Sequence, residues 1–222
     1  FEAGGEKSGI YKTTDSGETW RKLSGGLPQG TLGRIGIAVH RKDPDILYAV
    51  IQNLNPDPGY EAEEQGFDEF TDHSYDHLIG GEVYRTSDAG ASWEKVSEDG
   101  VDVSGKAAYS FNEISVDPHD PDKVYIIGVY MQYSFDGGRT WPRSWRERDR
   151  FLRNFGDVRV FWIDPHDPEH MMLGSDGGLY STWDGGRTTF HHYNIPMGEV
   201  YDVEVANASP SNIYATLQDP EH

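Results

Sequence analysis

Thr13-Thr14-Asp15-Ser16-Gly17-Glu18-Thr19-Trp20 is the first of four related octapeptides, and their recurrence decides the fold. Thr86-Ser87-Asp88-Ala89-Gly90-Ala91-Ser92-Trp93 and Ser134-Phe135-Asp136-Gly137-Gly138-Arg139-Thr140-Trp141 repeat it. In the fourth, Thr182-Trp183-Asp184-Gly185-Gly186-Arg187-Thr188, Thr189 stands where the tryptophan is expected and Phe190 follows one position late. The aspartates are spaced 73 residues (15 to 88), then 48 (88 to 136) and 48 (136 to 184). That is a period near 48 with an insertion of about 25 residues in the first step, the signature of a repeated supersecondary unit.

A second motif runs in phase with the first. Asp43-Pro44, Asp120-Pro121, Asp167-Pro168 and Ser209-Pro210 each lie between the end of one apolar strand and the start of another, as between Val116 and Val124-Tyr125-Ile126. Proline suits a turn between strands because it fixes φ and cannot donate to a ladder. Each unit therefore reads as four antiparallel strands, an inner pair around the Asp-Pro turn and an outer pair around the Asp-Gly turn. In the second unit these are residues 33–40, 46–52, 82–86 and 92–96. Four strands per repeat is the pattern of a β-propeller blade. An evenly stranded β-sandwich would not need the same turn at every fourth strand. The expected fold is all-β, a β-propeller of four-stranded antiparallel blades, as one segment over 1–222. It divides into a half blade (1–32), a blade (33–97) with an acidic insertion (53–78), two further blades (111–145 and 157–193) and a half blade (199–219). The two halves could complete one blade of a four-bladed ring, but a segment of a larger propeller is the expectation, with missing blades or subunits covering its edges.

Composition narrows the function. Lys plus Arg number 19 against 38 Asp plus Glu, a net charge of −19. A nucleic-acid or anionic-membrane partner needs a basic face, so neither is expected. The 13% aromatic content with 26 Gly and 12 Pro fits short strands punctuated by loops. Cysteine is absent, which removes disulfides, thiolate chemistry and Cys-based zinc. The longest apolar run, residues 124–131, is far too short to span a bilayer, so direct membrane insertion is not expected either.

On these octapeptides the sequence resembles the Asp-box, or BNR-repeat, propellers, whose pattern is Ser/Thr-x-Asp-x-Gly-x-Thr/Ser-Trp on the hairpin between the third and fourth strands. It looks most like large secreted or periplasmic members described as glycosyl-hydrolase-like or sortilin-type. Gly33-Arg34-Ile35-Gly36, Ser175-Asp176-Gly177-Gly178-Leu179-Tyr180 and Leu217-Gln218-Asp219 carry that likeness, although Pro220 follows where relatives continue with Asn-Gly. The resemblance implies an extracellular or periplasmic protein whose box turns lie opposite the usual ligand face.

Four aspartates in identical turns invite a catalytic or metal reading. The physics favours a structural one: the carboxylate accepts N–H bonds from its own turn, the glycine supplies φ > 0, the hydroxyl adds a bond and the tryptophan packs. Asp15, Gly17, Trp20, Asp88, Gly90, Trp93, Asp136, Gly138, Trp141, Asp184 and Gly186 are assigned that role. Function is expected at the opposite loops. Residues 53–78 hold eight Asp and Glu and no Lys or Arg, with Tyr60, Phe67, Phe70 and Tyr75 interleaved. That loop reads as a docking or disordered loop, a Ca²⁺ site without EF-hand spacing, or a carbohydrate-contacting lid. No other cofactor or metal is indicated.

Arg143, Arg146, Arg148, Arg150 and Arg153 cluster between the third and fourth units. Guanidiniums pair with carboxylates, phosphates or uronic acids, and the acidic protein itself is the nearest partner. Tyr60, Phe67, Phe70, Arg146, Arg150 and Arg153 are therefore the binding candidates. Glycoside hydrolysis needs two carboxylates flanking a bond, and Asp157 and Glu113 are candidates by position near the starts of inner strands. Many relatives carry a His-x-Asp-x-His-like stretch there, whereas this chain has Phe155 and Arg159, and a sialidase's arginine triad with its tyrosine is not assembled. His119 and His166 sit in equivalent turns, and the Gly-rich segments are hairpins, not phosphate loops. Two readings remain. The preferred one is a non-catalytic platform for protein or polysaccharide; the alternative is a glycoside hydrolase or lyase acting on extracellular polysaccharide. Assembly factors similar to photosystem-stability propellers are a remainder.

Overall fold

The computed structural model describes residues 4–60, 77–104, 111–148, 150–194, 200–207 and 209–217. Residues 1–191 form one compact unit and residues 192–222 a second. The first unit holds four antiparallel sheets in chain order. Sheet one is β1 (Tyr11–Lys12) and β2 (Arg21–Lys22). Sheet two is β3 (Leu32–Val39), β4 (Leu47–Pro56), β5 (Leu78–Thr86) and β6 (Glu94–Lys95). Sheet three is β7 (Glu113–Val116), β8 (Val124–Ile127) and β9 (Gln132–Ser134). After a four-residue helix, α1 (Trp145–Arg148), sheet four is β10 (Val158–Ile163), β11 (Met171–Ser175), β12 (Gly178–Thr182) and β13 (Phe190–His191). The second unit is the hairpin β14 (Val200–Val205) and β15 (Ile213–Leu217).

The sheets of the first unit pack face to face, and side-chain alternation sorts residues between successive cores. On β4, Ala49 and Ile51 enter the core shared with sheet one, together with Ile10, Leu23, Tyr84 and Trp93. Tyr48 and Val50 face the other way, against Ile114, Val116, Val124, Ile126 and Trp141. Tyr125 and Ile127 of β8 then meet Phe151, Leu152, Phe161, Ile163 and Leu173 in a third core. A strand buried on both faces needs apolar residues at consecutive positions, which is why β4 and β8 read as unbroken apolar runs.

One core carries a charged group. Glu82 is 6% exposed and accepts from Lys95 Nζ (2.7 Å), Asn53 Nδ2 (2.8 Å) and Tyr84 Oη (2.9 Å). With three donors its burial is compensated. Burial, then the neighbouring Glu82 carboxylate, push the Tyr84 phenol well above its ordinary range, so Tyr84 stays a donor.

The two turns at one end of each sheet are tied by a bond repeated three times. Ala89 N–H donates to Asp45 O (3.0 Å), Gly137 N–H to Asp122 O (2.8 Å) and Gly185 N–H to Glu169 O (3.0 Å). Tyr48 Oη reaches into the next sheet's turn at Pro121 O (2.9 Å), and His119 Nε2 lies 2.9 Å from Asp164 O. The expectation of four strands in every unit is corrected in sheet three, which has three. Pro142 stands where the outer strand begins in the other sheets, and without an N–H it cannot extend the ladder.

Candidate functional site

The four octapeptide turns share one hydrogen-bond pattern. The hydroxyls of Thr13, Thr86, Ser134 and Thr182 donate to Oδ1 of Asp15, Asp88, Asp136 and Asp184 at 2.7, 2.7, 2.7 and 2.8 Å. The same hydroxyls accept the amides of Gly17, Gly90, Gly138 and Gly186 at 2.9, 3.1, 2.9 and 3.0 Å. Each carboxylate also takes the amide and hydroxyl of the residue four further on, for Asp15 at 2.9 and 2.5 Å from Thr19. The Thr19 hydroxyl, its amide and Thr13 pull Asp15 down to about 2, and Thr188 and Thr182 do the same for Asp184, also to about 2. Asp88 lies lower still, held by Ser92 and Thr86. Burial opposes the shift at Asp136, but the bonds from Thr140, Ser134 and Arg139 outweigh it. The glycines sit at φ between +83° and +93°, where a side chain would strain the turn. These carboxylates are spent inside their own turns.

The tryptophans differ. Trp93 and Trp141 are 6% and 8% exposed, and Trp20 is 61% exposed. The Trp141 indole donates to Gly138 O (2.9 Å) and the Trp20 indole to Gly17 O (3.1 Å). In the fourth turn, which lacks the ring, the backbone N–H of Leu152 donates to Gly186 O (2.8 Å). Phe151 and the fully buried Leu152 pack there, with Phe151 carbons 2.5 Å from where a Cβ on Gly186 would stand. No local signal marks Leu152 as this substitute.

At the other end of the inner strands, Glu113 and Asp157 have separate surroundings. Glu113 Oε1 pairs with Arg34 at 3.2 Å, both side chains substantially exposed. Asp157 is left-handed (φ 57°); its N–H donates to Val129 O (2.8 Å) and its carbonyl accepts from Asp176 N–H (3.3 Å). No hydrogen bond or ion pair joins the two among the described residues. Arg159 lies 4.4 Å over the Phe111 ring and donates to Asp176 Oδ1 (3.3 Å). The buried Asn112 (φ 84°) donates to Arg34 O (2.8 Å), and its carbonyl comes within 2.5 Å of where a Cβ on Gly36 would lie. Only glycine admits that approach of β7 to β3.

The arginine segment is largely engaged with the protein itself. Arg143 pairs with Glu98, its N–H donates to Glu147 Oε2 (2.7 Å), and the Arg148 guanidinium lies 4.8 Å over Tyr130. Arg146 on α1 and Arg153 after Leu152 are exposed. Tyr60 is 41% exposed and edge-on to His77, whereas Phe67, Phe70 and the rest of residues 61–76 of the candidate Ca²⁺ loop (53–78) lie outside the described residues. Among the described residues no three His, Asp or Glu side chains are placed to hold a metal ion.

Two features escaped sequence reasoning. A groove of about 280 Å³ runs across the inner strands, between Ile37, Val39 and Arg41 on one side and Trp162 on the other, with Ser115 and Pro118 between. Beside it, Trp162, His170, Trp183 and Phe190 form a chain of ring contacts 5.4 to 6.4 Å apart. Trp162, Trp183 and Phe190 are 40%, 57% and 56% exposed. Trp183 occupies a variable position of its octapeptide, and that was the available signal.

No family model matches the chain. Its sequence is 24% identical, over 227 aligned residues, to the xyloglucanase Xgh74A of Acetivibrio thermocellus, covering 87% of this chain and 22% of that protein. A xyloglucanase from a Paenibacillus species is 23% identical over 210 residues, covering 78% of this chain and 18% of its own. Among solved structures, the GH74 xyloglucanase of Xanthomonas campestris superposes with a TM-score of 0.59 at 19% identity, over 90% of this chain and 29% of that one. The chain thus spans about a fifth of the length of the curated relatives it matches. At such identities the structural likeness establishes the fold: the antiparallel sheets are those of a β-propeller.

Proposed function

We propose that this chain is a polysaccharide-contacting propeller segment of a xyloglucan-acting protein, exported from the cell, whose own residues bind glycan and do not cleave it. The observation that carries this reading is the alignment with xyloglucanases along 87% of the chain. The groove supports it: Trp162 offers a flat ring at its rim. The separate pairing of Glu113 and the backbone ties of Asp157 argue against a carboxylate pair acting on one bond. Blade boundaries near 33–97, 111–145 and 157–193 belong to the same proposal.

Affinity electrophoresis in tamarind xyloglucan, paired with a reducing-end assay, tests it. Xyloglucan is expected to retard the protein, Trp162→Ala to weaken retardation roughly tenfold, as for loss of one stacked ring worth about 1.5 kcal/mol, and no reducing ends to appear. Absence of retardation would overturn the glycan reading. Hydrolysis abolished by Asp157→Asn or Glu113→Gln would replace it with the hydrolase.

A further inference from the structure

In three sheets the octapeptide turn leads straight into a short outer strand: β2, β6 and β13 begin at the residue after Trp20, Trp93 and Thr189 and pair with β1, β5 and β12. In sheet three Pro142 and Arg143 take those two positions, and the chain turns away into α1. β9 is left paired on one side only, to β8 through Gln132, Tyr133 and Ser134. A cavity of about 340 Å³ lies along it, lined among others by Tyr133, Phe135, Trp141, Glu147 and Arg150. Tyr133 Oη donates to Glu147 O (2.7 Å), which holds α1 at one end of this lane. Phe135 is stacked on Tyr133 at 5.1 Å and remains 51% exposed.

We propose that this lane accepts an extended peptide segment of a partner protein as the fourth strand of sheet three. An unpaired strand edge presents N–H and C=O groups that another strand satisfies, and strand addition draws affinity from the main chain and selectivity from alternate side chains. The lane supplies both kinds of contact. The Tyr133–Phe135 stack receives one aromatic or aliphatic side chain. Arg150, exposed and without an ion pair among the described residues, receives an acidic one on a surface that otherwise repels it. The occupant is therefore a β-prone segment with an acidic residue two positions from an aromatic or aliphatic one, so that both fall on the face that meets Tyr133, Phe135 and Arg150.

Hydrogen–deuterium exchange on the 222-residue chain tests this, with a capped pentapeptide of glutamate, valine, tyrosine, valine and glutamate as probe. The peptide is expected to slow exchange at the outward amides of residues 132–134 about tenfold. Arg150→Ala should weaken its binding about threefold, the worth of one exposed ion pair, with an unchanged circular dichroism spectrum. N-methylation of the peptide's alternate amides should abolish binding. Equal binding by the N-methylated peptide, protection confined to other segments, or protection of 132–134 by a xyloglucan oligosaccharide in place of the peptide would each overturn the proposal.

Discussion

Trp141 and Trp20 hold the same position of the same octapeptide and make the same indole bond to glycine, yet one is 8% and the other 61% exposed. Truncating a buried tryptophan removes its transfer energy and leaves a cavity, so Trp141→Ala should cost about 3–5 kcal/mol in urea unfolding. Trp20→Ala should cost under about 1 kcal/mol. Similar losses for both would mean that Trp20 is covered in solution. The aspartates of these turns predict a pH dependence. Asp15 and Asp184 fall to about 2 from an ordinary value of 3.8, and Asp88 falls further. A lowered folded pKa gives stability that is present above the unfolded value and lost as pH falls through the folded one. The urea midpoint should therefore drop as pH goes from about 4 toward 2. That drop should be shallower in the triple variant Thr19→Val, Ser92→Ala, Thr188→Val, which lacks the hydroxyl donors. An unchanged slope would remove the turns as its source.

Within sheet two, the element-scale question is what holds a carboxylate in an apolar interface. Glu82 is buried against Lys95, Asn53 and Tyr84, and Lys95 also reaches Asp99 at 2.6 Å. Lys95 keeps Asp99, but Asn53 and Tyr84 lose their acceptor, so Glu82→Leu should cost about 1–3 kcal/mol. Glu82→Leu with Lys95→Met should lose less than the two single losses added together, a coupling that a double-mutant cycle measures. Strict additivity would show that the pair contributes nothing as a pair. Tyr48→Phe removes the bond to Pro121 between sheets two and three and should cost about 1 kcal/mol. The four-strand rhythm was legible because turn chemistry is short-range. The loss of the outer strand in sheet three was also within reach, since Pro142 directly after Trp141 is a strand breaker at a strand position.

For the molecule as a whole, charge and packing oppose each other. A net charge of −19 repels itself across the surface while successive interfaces between sheets hold the first unit together. Salt screens the repulsion, so the thermal midpoint should rise between low and moderate sodium chloride. A falling midpoint would mean that exposed ion pairs such as Arg34–Glu113 and Arg187–Glu169 matter more than the net field. The candidate site was legible only in outline. Asp157 and Glu113 could be placed at inner-strand starts, but their partners Val129 and Asp176 for the first, and Arg34 for the second, stand 28, 19 and 79 positions away along the chain.

The sequence alone determined the chemistry of every octapeptide turn and the tight reversals of chain that those turns make. All of these rest on bonds between residues two to four apart, such as Thr13 with Asp15 and Asp15 with Thr19, so a local motif carries them complete. Only the tertiary structure decided that Leu152 stands in for a missing tryptophan, that Glu113 is held by Arg34, and that Trp162 and Trp183 face outward. Those outcomes depend on residues 34 and 79 positions apart meeting across stacked sheets, as in Leu152 with Gly186 and Arg34 with Glu113. Periodicity sets which face a side chain takes on its own strand and leaves open what the neighbouring sheet brings against it.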